Sequence, residues 1–254
     1  MALKKAKGYA TLLLMKQEAI DYLKQDILTN IDMLEVLELP RGAVVAADEA
    51  GVLLQHGDIY LLSHAVGHAA DFLPQMEQAL WQNPKQLVVL HSSELKETLE
   101  RTFGFQTVME CRHAVYFPTT PIPYVLPEGT EIRRLDGSYA DFVHAHYHMV
   151  DDPAYIRERL DAGMFGVFVG GEIAGFAGTH EERPMGLLEI LPEFRRLGLA
   201  YALEAHLINH LLSLDRVPFC QVAIYNEASI RLQEKLGLTL SGQVIYWLER
   251  ERIQ

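Results

Sequence analysis

The feature that most constrains the fold is a strand, a turn and a helix between Met185 and Leu212. An apolar run, Gly-Leu-Leu-Glu-Ile-Leu, leads into Pro-Glu-Phe-Arg-Arg-Leu-Gly-Leu-Ala and then into apolar residues at helical spacing. Gly198 and the small Ala200 let a ligand approach the backbone closely, and unpaired amides from about Leu197 onward point at negative charge. The sequence therefore predicts a strand that leads into an anion-binding helix N-terminus, suited to a phosphate.

Strands and helices alternate through the second half of the chain. The predicted elements before this segment are a strand (130–135), two helices (139–149 and 153–162) and a hairpin (166–169 and 173–180). After it come a strand (219–225), a helix (226–236) and a closing strand pair that ends near Arg250. Mixed strands and helices joined by one long crossover predict an α/β fold, with a mixed sheet of the α+β kind.

The first half is predicted to be a second α/β unit. Its elements are two helices (9–28 and 31–38), three short strands (43–47, 52–55 and 59–63), a helix (68–82), a buried strand (86–91), a helix capped by Ser92 or Ser93 that ends at Gly104, and a strand pair within 106–117. Four prolines from Pro118 to Pro127 then indicate a linker over residues 118–128. The predicted domains are therefore residues 1–117 and 129–254.

The two halves share a pattern of glycines. Gly51-Val52 followed by Gly57-Asp58-Ile59 resembles Gly166-Val167 followed by Gly171-Glu172-Ile173. Where the second half has its glycine turn, the first offers only Ala65-Val66-Gly67-His68. Two interpretations stay open: the first half is a degenerate copy without the phosphate loop, or both halves merely share the glycine-ended hairpins of α/β units.

Composition excludes several classes of protein. Apolar residues make up 49% of the 254 residues and charged residues 22%, so the chain can bury a sizeable core. The net charge of −12 argues against a nonspecific grip on nucleic acid or on an anionic membrane. The N-terminal apolar run is too short for a signal peptide or a membrane span. Cys111 and Cys220 lack metal-ligand spacing, so we expect reduced packing residues in a cytoplasmic protein.

A second motif follows the predicted phosphate loop. Asn226-Glu227-Ala228-Ser229, with Lys235-Leu236-Gly237-Leu238 at the end of the same helix, resembles the second cofactor motif of the GNAT superfamily of N-acyltransferases. The spacing of Arg195, Gly198 and Ala200 resembles the acyl-CoA pyrophosphate loop of that superfamily. The resemblance covers residues 130–254 and is greatest to the glycine N-acyltransferase-like branch, whose members also carry a diverged N-terminal half. It implies a GNAT-like acyltransferase fold in the C-terminal half and a degenerate GNAT-like N-terminal half.

The resemblance implies acetyl-CoA, or another acyl-CoA, as co-substrate, and direct transfer of the acyl group to a primary amine of a small molecule or peptide. A pyrophosphate on the loop amides, a pantetheine arm along the strand edge and a thioester carbonyl near the Ile190 amide are the expected contacts. The implied cofactor-binding residues are Ile190, Leu191, Arg195, Arg196, Leu197, Gly198, Leu199, Ala200, Asn226, Ser229 and Gln233. No metal, nucleic acid or membrane is expected, and an oligomer is left open.

The candidates for catalysis are Glu189, Tyr225 and Ser229. Gln233 stands where the family often has a tyrosine that protonates the leaving thiolate, so Tyr225 and Ser229 are considered as nearby substitutes for that tyrosine. Glu189 is the first candidate for the general base, because a carboxylate in an apolar strand is costly unless it faces a wet cleft. The alternative is that Glu189 pairs with an arginine at the sheet end. Other candidates for the base are His180, Glu181 and Glu182, or a water.

Other polar groups have simpler explanations. Two histidine pairs, His144 with His148 and His206 with His210, share helix faces but lack a carboxylate or cysteine at matching spacing, so solvated faces are expected. Asp151 and Asp152 attract a cationic acceptor or cap the helix that begins at Pro153. The functional alternative to an enzyme is a catalytically silent acyl-CoA sensor or interaction protein, and a purely structural protein is a third. The acceptor and the acyl chain length cannot be deduced from the sequence.

Overall fold

The computed structural model describes residues 2–82 and 87–250, with side chains described over residues 13–81 and 87–250. Two compact units make up the chain. The first comprises Met1–His113, Val222–Tyr225 and Leu240–Gln254, and the second comprises Ala114–Gln221 and Asn226–Thr239. Each unit is therefore built from segments that are not continuous in sequence.

The first part of the chain alternates helices and strands. Its elements are α1 (Ala2–Leu23), a 3-10 turn (Lys24–Asp26), α2 (Ile27–Val36), β1 (Gly42–Asp48), β2 (Gly51–His56), β3 (Ile59–His64), α3 (Ala69–Gln82), β4 (Leu87–Leu90), α4 (Lys96–Phe103) and β5 (Gln106–Val115).

The second part continues the alternation. Its elements are β6 (Thr130–Arg134), a 3-10 turn (Gly137–Tyr139), α5 (Ala140–His146), α6 (Pro153–Gly163), β7 (Phe165–Val169), β8 (Glu172–Thr179), β9 (Met185–Ile190), a 3-10 turn (Pro192–Phe194), α7 (Leu199–Ser213), β10 (Phe219–Ala223), α8 (Glu227–Leu236), β11 (Thr239–Leu240) and β12 (Ile245–Glu249).

The C-terminal strand completes the sheet of the first unit. Strands follow the order β1-β2-β3-β4-β12-β5, and β12 is antiparallel to both of its neighbours. Leu248 pairs with Val88 on one side and Thr107 on the other, and its side chain is fully buried. The last strand of the chain is thus a central strand of this sheet rather than an edge.

Both faces of this sheet are covered by helices. Leu53 and Leu62 pack with α3 and α4, whereas the neighbouring residues Val52 and Leu61 pack with α1 and α2. Successive residues of a strand point to opposite faces, which explains why these strands are apolar throughout. The first unit therefore has two hydrophobic cores, one on each side of the sheet.

The second unit has a sheet in the order β10-β9-β8-β7-β6. Helices α5 and α6 pack on one core that includes Val143, Ile156 and Phe176. Helix α7 contacts β7, β8 and β9. Asn209 of α7 bonds both backbone groups of Ile122, accepting from its N–H at 2.7 Å and donating to its carbonyl at 2.9 Å. The proline-rich segment is thereby fixed to α7.

The predicted mixed α/β fold is confirmed, and several local predictions are corrected. The break between the first two helices lies at Lys24–Asp26, because the Asp26 side chain accepts from the Thr29 amide and caps α2. Residues 106–117 hold one long strand instead of a pair, since β5 runs unbroken to Val115. Helix α4 begins at Lys96 without a serine cap, because the Ser92 hydroxyl accepts from the Glu94 amide in the preceding turn.

The predicted domain boundaries stay a prediction, and the compact units divide the chain differently. Pairing of β12 with β4 and β5 draws the C-terminal residues into the first unit, and the proline-rich residues 118–128 belong to the second. Cys111 and Cys220 form no disulfide within the described residues, and both are buried, as expected of packing residues. In residues 2–82 and 87–250, no helix has the length and apolar character needed to cross a membrane.

Candidate functional site

Strand β9 is bulged just before its predicted functional residues. Its register with β8 pairs Phe176 with Glu189 but Gly178 with Gly186, so β9 holds one residue more than β8 over this stretch. Leu187 accordingly adopts a left-handed backbone with a φ of 49°. A β-bulge bends its strand and turns the following side chains to new directions, and here the residues that follow are Glu189 and Ile190.

The pairing between β9 and β10 is short. Met185 and Cys220 form the single register pair between these parallel strands within the described residues. Beyond Met185, no further register pair joins this edge of β9 to β10 within the described residues. Backbone groups on such an edge can pair with an extended, amide-rich ligand.

The turn after β9 leaves the N-terminus of α7 open. Arg196 and Gly198 both have left-handed backbones, with φ values of 66° and 78°. Gly198 is the N-cap of α7, and a glycine has no side chain that could accept a hydrogen bond from the first turn. A Cβ on Gly198 would have no atom within 4 Å, so the space above the turn is open. The first amides of the helix, from Leu199 onward, are therefore available to an anion.

This geometry confirms a helix after the turn and corrects its start. The sequence predicted amides from about Leu197, but the first helical residue is Leu199 because the left-handed Gly198 lies outside the helix. Leu199 is buried, Ala200 is half-buried, and Arg196 and Leu197 are exposed. The predicted anion-binding residues thus form one continuous turn at the surface.

Arg195 connects this turn to the end of β9. Its Nε donates to the Ile190 carbonyl at 2.9 Å, and its Nη2 donates to Oε1 of Glu189, also at 2.9 Å. The ion pair is partly solvated, with side-chain exposures of 57% for Arg195 and 31% for Glu189. The pairing with an arginine that the sequence left as an alternative for Glu189 is therefore present. A catalytic role for Glu189 stays a prediction.

Gln233 is buried against helix α7. Its Nε2 donates a hydrogen bond of 2.8 Å to Oε1 of Glu204, and the two side chains are 1% and 4% exposed. Within the described chain, Oε1 of Gln233 and Oε2 of Glu204 have no hydrogen-bond partner. Burial raises the pKa of Glu204 from 4.5 to about 7, against the lowering effect of the bond from Gln233. A protonated Glu204 supplies a hydrogen that the Gln233 oxygen can accept.

This arrangement changes the interpretation of Gln233. A side chain that is 1% exposed does not offer its amide to a ligand at the surface, so direct contact with a cofactor gains no support from its position. Glu204 was missed in the sequence, although it is the single acidic residue in the apolar helix α7. A lone carboxylate in an apolar helix is the signal that could have identified it.

The second predicted motif is a helix cap. The Asn226 side chain accepts from the Ser229 amide at 3.1 Å and caps α8, while its own amide group is exposed with the rest of the residue. Ser229 is half-buried on the first turn of that helix. Tyr225 directly precedes the cap, is 75% exposed and belongs to the first compact unit. Their catalytic roles stay predictions.

A second cluster lies at the end of β8. His180 Nδ1 is 2.8 Å from the Tyr155 hydroxyl, and a Cβ on Gly186 would meet its ring at 2.5 Å, so the glycine makes room for the imidazole. Burial and the charge of Arg159 lower the pKa of His180 to about 4. Burial raises the pKa of Tyr147 to about 12. His180 is therefore neutral near pH 7, as a proton acceptor must be.

The remaining polar candidates are largely structural. Asp152 caps α6 by accepting from the amides of Ala154 and Tyr155, as predicted. His206 Nδ1 lies 2.7 Å from the Tyr124 hydroxyl, with which it forms a hydrogen bond, and the ring of His206 packs edge-on against Phe165. The prediction of a solvated helix face for His206 and His210 is therefore wrong, because both rings pack against the ring of Phe165.

Part of the second half of the chain matches the model of a known protein family. Residues 130–238 match the model of a family described as the acetyltransferase (GNAT) family. This stretch of the chain is thus similar to GNAT acetyltransferases, and the similarity supports a transferase enzyme. No curated protein matches the sequence.

Solved structures are similar over nearly the whole chain. A Drosophila protein solved by X-ray crystallography has a TM-score of 0.72 at 17% identity, over 93% of this chain and 95% of its own. A GCN5-related N-acetyltransferase from Kribbella flavida has a TM-score of 0.58 at 13% identity, over 89% and 96%. A GCN5-related N-acetyltransferase-like protein from Streptococcus suis has a TM-score of 0.56 at 16% identity, over 92% and 100%. These similarities support the GNAT-like fold.

The buried Glu204 makes stability depend on pH. A carboxyl whose pKa is about 7 when folded and near 4.5 when unfolded stabilises the fold fully below pH 4.5, and this contribution is lost as the pH rises through 7. Replacing Glu204 with Gln keeps the shape and a donor for Gln233 but removes the ionisation. We compare the unfolding free energy of Glu204→Gln with that of the wild type. The difference should shift in favour of the variant by roughly 3 kcal/mol from pH 5 to pH 8.

Urea denaturation at pH 5 and pH 8 measures this gain. The exposed Glu234→Gln on α8 is the matched control and should leave the difference between the two pH values unchanged. If Glu204→Gln loses as much stability as the wild type between these pH values, Glu204 is already ionised in the fold.

Proposed function

We propose that this protein is an acyl-CoA-dependent N-acyltransferase that transfers an acyl group, in the first instance acetyl, to a primary amine. The observation that carries the proposal is the open, uncapped N-terminus of α7, which lies inside the segment that matches the acetyltransferase family. Such a terminus favours a pyrophosphate, because unpaired amides and the helix dipole both attract negative charge. Arg196 is exposed beside it and adds a cation.

The proposed path of the cofactor follows the β9 edge. An acyl-CoA carries two amides in its pantetheine arm, and these can pair with the backbone of Leu188 to Leu191 as a strand would. The exposed amide group of Asn226 is proposed to bond the same arm, with Ser229 beside it. A backbone amide near Ile190 is proposed to polarise the thioester carbonyl.

Two groups are proposed for proton transfer from the amine. Glu189 is partly exposed at the end of β9, but it must share or release Arg195 before it can accept a proton. His180 is the alternative, since it is neutral near pH 7. A leaving thiol with a pKa of about 8.5 needs little help near neutral pH, so Tyr225 or Ser229 is a sufficient proton donor.

We further propose a small-molecule or peptide acceptor, cytoplasmic localisation and membership of the glycine N-acyltransferase-like branch. The acidic net charge of −12 supports a neutral or cationic acceptor. The predicted degenerate N-terminal half and the domains 1–117 and 129–254 belong to the same proposal.

A catalytically silent acyl-CoA binder is the second candidate, and the burial of Gln233 at the place of the expected tyrosine favours it. An enzyme should release free CoA from acetyl-CoA in an amine-dependent way. We expect at least one member of a panel of small amines and short peptides to raise thiol release above hydrolysis by about tenfold or more. Tight CoA binding without turnover on any amine would instead establish the silent binder.

Binding should depend on the turn before α7. Gly198→Asp adds a negative charge where a phosphate must approach, and we expect it to weaken CoA binding by about a hundredfold or more in calorimetry. Gly170→Asp is the matched control, since Gly170 is also left-handed, with a φ of 58° and no atom within 4 Å of a Cβ. Equal affinities for the two variants would contradict the proposed phosphate site.

The role of Glu189 can be separated from its ion pair. If Glu189 is the base, Glu189→Gln should lower turnover by about a hundredfold while CoA affinity is kept, and the acid limb of the pH profile should disappear. If it only anchors Arg195, the melting temperature falls and the rate per folded molecule is unchanged. Glu193→Gln, an exposed neighbour in the same turn, is the control. An unchanged rate would transfer the proposed base to His180, Glu181, Glu182 or water.

A further inference from the structure

Three polar side chains meet in the interior of the first compact unit. Asp32 lies on α2, His91 directly follows β4, and His113 lies on β5. Their exposures are 2%, 4% and 0%. One oxygen of the aspartate and one nitrogen of each histidine lie within 4.8 Å of one another. Buried polar groups of this kind are costly unless each one is satisfied, so the cluster requires an explanation.

Hydrogen bonds to the backbone orient both imidazoles. His91 Nδ1 lies 3.1 Å from the Leu62 carbonyl, and His113 Nδ1 lies 2.9 Å from the Thr29 carbonyl. A carbonyl oxygen can only accept, so Nδ1 of each ring carries a hydrogen and donates it. The two rings therefore present their Nε2 atoms inward.

Both Nε2 atoms face the same carboxylate. His91 Nε2 is 2.9 Å from Oδ1 of Asp32, and His113 Nε2 is 3.5 Å from Oδ2. In a neutral ring with its hydrogen on Nδ1, the Nε2 atom is an acceptor, and an acceptor that faces a carboxylate is repelled. A proton shared between a ring and the carboxylate removes that repulsion, and so does a metal ion.

The surroundings match what metal-binding histidines require. Such histidines donate their other ring N–H to a carbonyl or carboxylate, which fixes the tautomer that points a lone pair at the metal. Ligands at about 2.0–2.2 Å from a tetrahedral zinc ion are roughly 3.3–3.6 Å apart. The 3.5 Å between His113 Nε2 and Asp32 Oδ2 lies in that range, whereas the 2.9 Å between His91 Nε2 and Asp32 Oδ1 is a hydrogen-bond distance that would lengthen by about 0.4 Å around an ion. Imidazole and carboxylate together suit zinc and similar divalent ions.

We propose that Asp32, His91 and His113 form a binding site for a divalent transition-metal ion of the zinc class. The ion is held by Nε2 of both imidazoles and by the carboxylate, with a fourth position left for a small ligand such as water. It joins α2 to β5 and to the end of β4, and so stabilises the interior of the first unit. It plays no part in the proposed acyl transfer.

The local structure of α2 supports the placement of the carboxylate. Asn30 departs from helical geometry, with φ and ψ of −109° and 15°, and its Oδ1 accepts a 2.7 Å bond from the Ser63 hydroxyl. Asp32 Oδ1 also accepts from the Met33 amide at 2.8 Å. The bond from Met33 orients the carboxylate, as the partners of metal-ligating carboxylates do.

The test uses the full chain, stripped of metal with a chelator and then titrated with zinc. We expect one zinc ion per chain by elemental analysis, a rise in melting temperature of about 5 °C or more, and visible absorption typical of tetrahedral cobalt when cobalt replaces zinc. His91→Gln should weaken zinc binding by about a hundredfold or more. His144→Gln is the control, since His144 is near the surface and pairs with the exposed Asp151.

Several outcomes would overturn the proposal. Absence of stoichiometric zinc and of any thermal shift in the wild type would leave protonated imidazoles as the partners of Asp32. Equal zinc binding by wild type and His91→Gln would locate the metal elsewhere. If His91→Gln does not fold, X-ray absorption of the zinc-loaded wild type decides, because two imidazoles and a carboxylate oxygen support the site and any other ligand set excludes it.

Discussion

The candidate site in the second compact unit depends on unpaired backbone amides at the start of one helix. Gly198 precedes α7 in a left-handed conformation and has no side chain with which to cap the turn that follows. Uncapped amides cost stability unless water or a ligand satisfies them. This helix start therefore lacks the stability that a side-chain cap would contribute. The bulge at Leu187 and the bonds of Arg195 to the end of β9 hold the turn in place. The geometry that leaves the amides open is therefore built into the strand, the turn and the helix together.

Each of the two units encloses a cluster of buried polar side chains that needs a proton or a charge. Glu204 and Gln233 are enclosed in the second unit, and Asp32 is enclosed with two histidines in the first. Glu204 and Gln233 each keep one oxygen without a hydrogen-bond partner in the described residues, and in the other cluster two Nε2 atoms face one carboxylate, so a charge or proton completes each arrangement. For Glu204 the missing element is a proton, whose retention raises its pKa. For Asp32 the proposed metal ion would lie beside two ring nitrogens whose tautomers the backbone carbonyls determine.

Local signals in the sequence predicted local structure well. The Asp152 cap, the left-handed Gly104 at the end of α4 and the strand, turn and helix around Gly198 all follow from residues a few positions apart. The features that were missed depend on distant residues. The sequence around β12 does not indicate that it pairs with β4 and β5, and Gln233 cannot be assigned without knowing that Glu204 faces it. The strand, the turn and the helix that carry the candidate site were thus predicted, but the side chains that these elements bring into contact were not.

The base role predicted for Glu189 and the phosphate role predicted for Arg195 both depend on the guanidinium group of Arg195. Arg195 is bonded to Glu189 and to the Ile190 carbonyl, so a pyrophosphate at the start of α7 would compete with Glu189 for its remaining hydrogens. An Arg195 that turned to the phosphate would leave Glu189 with less positive charge nearby and make it a better proton acceptor. An Arg195 that stayed on Glu189 would leave charge neutralisation to Arg196 and the helix amides. A base role for Glu189 and a phosphate role for Arg195 therefore reinforce each other, whereas the ion pair as it stands favours a structural role for both residues.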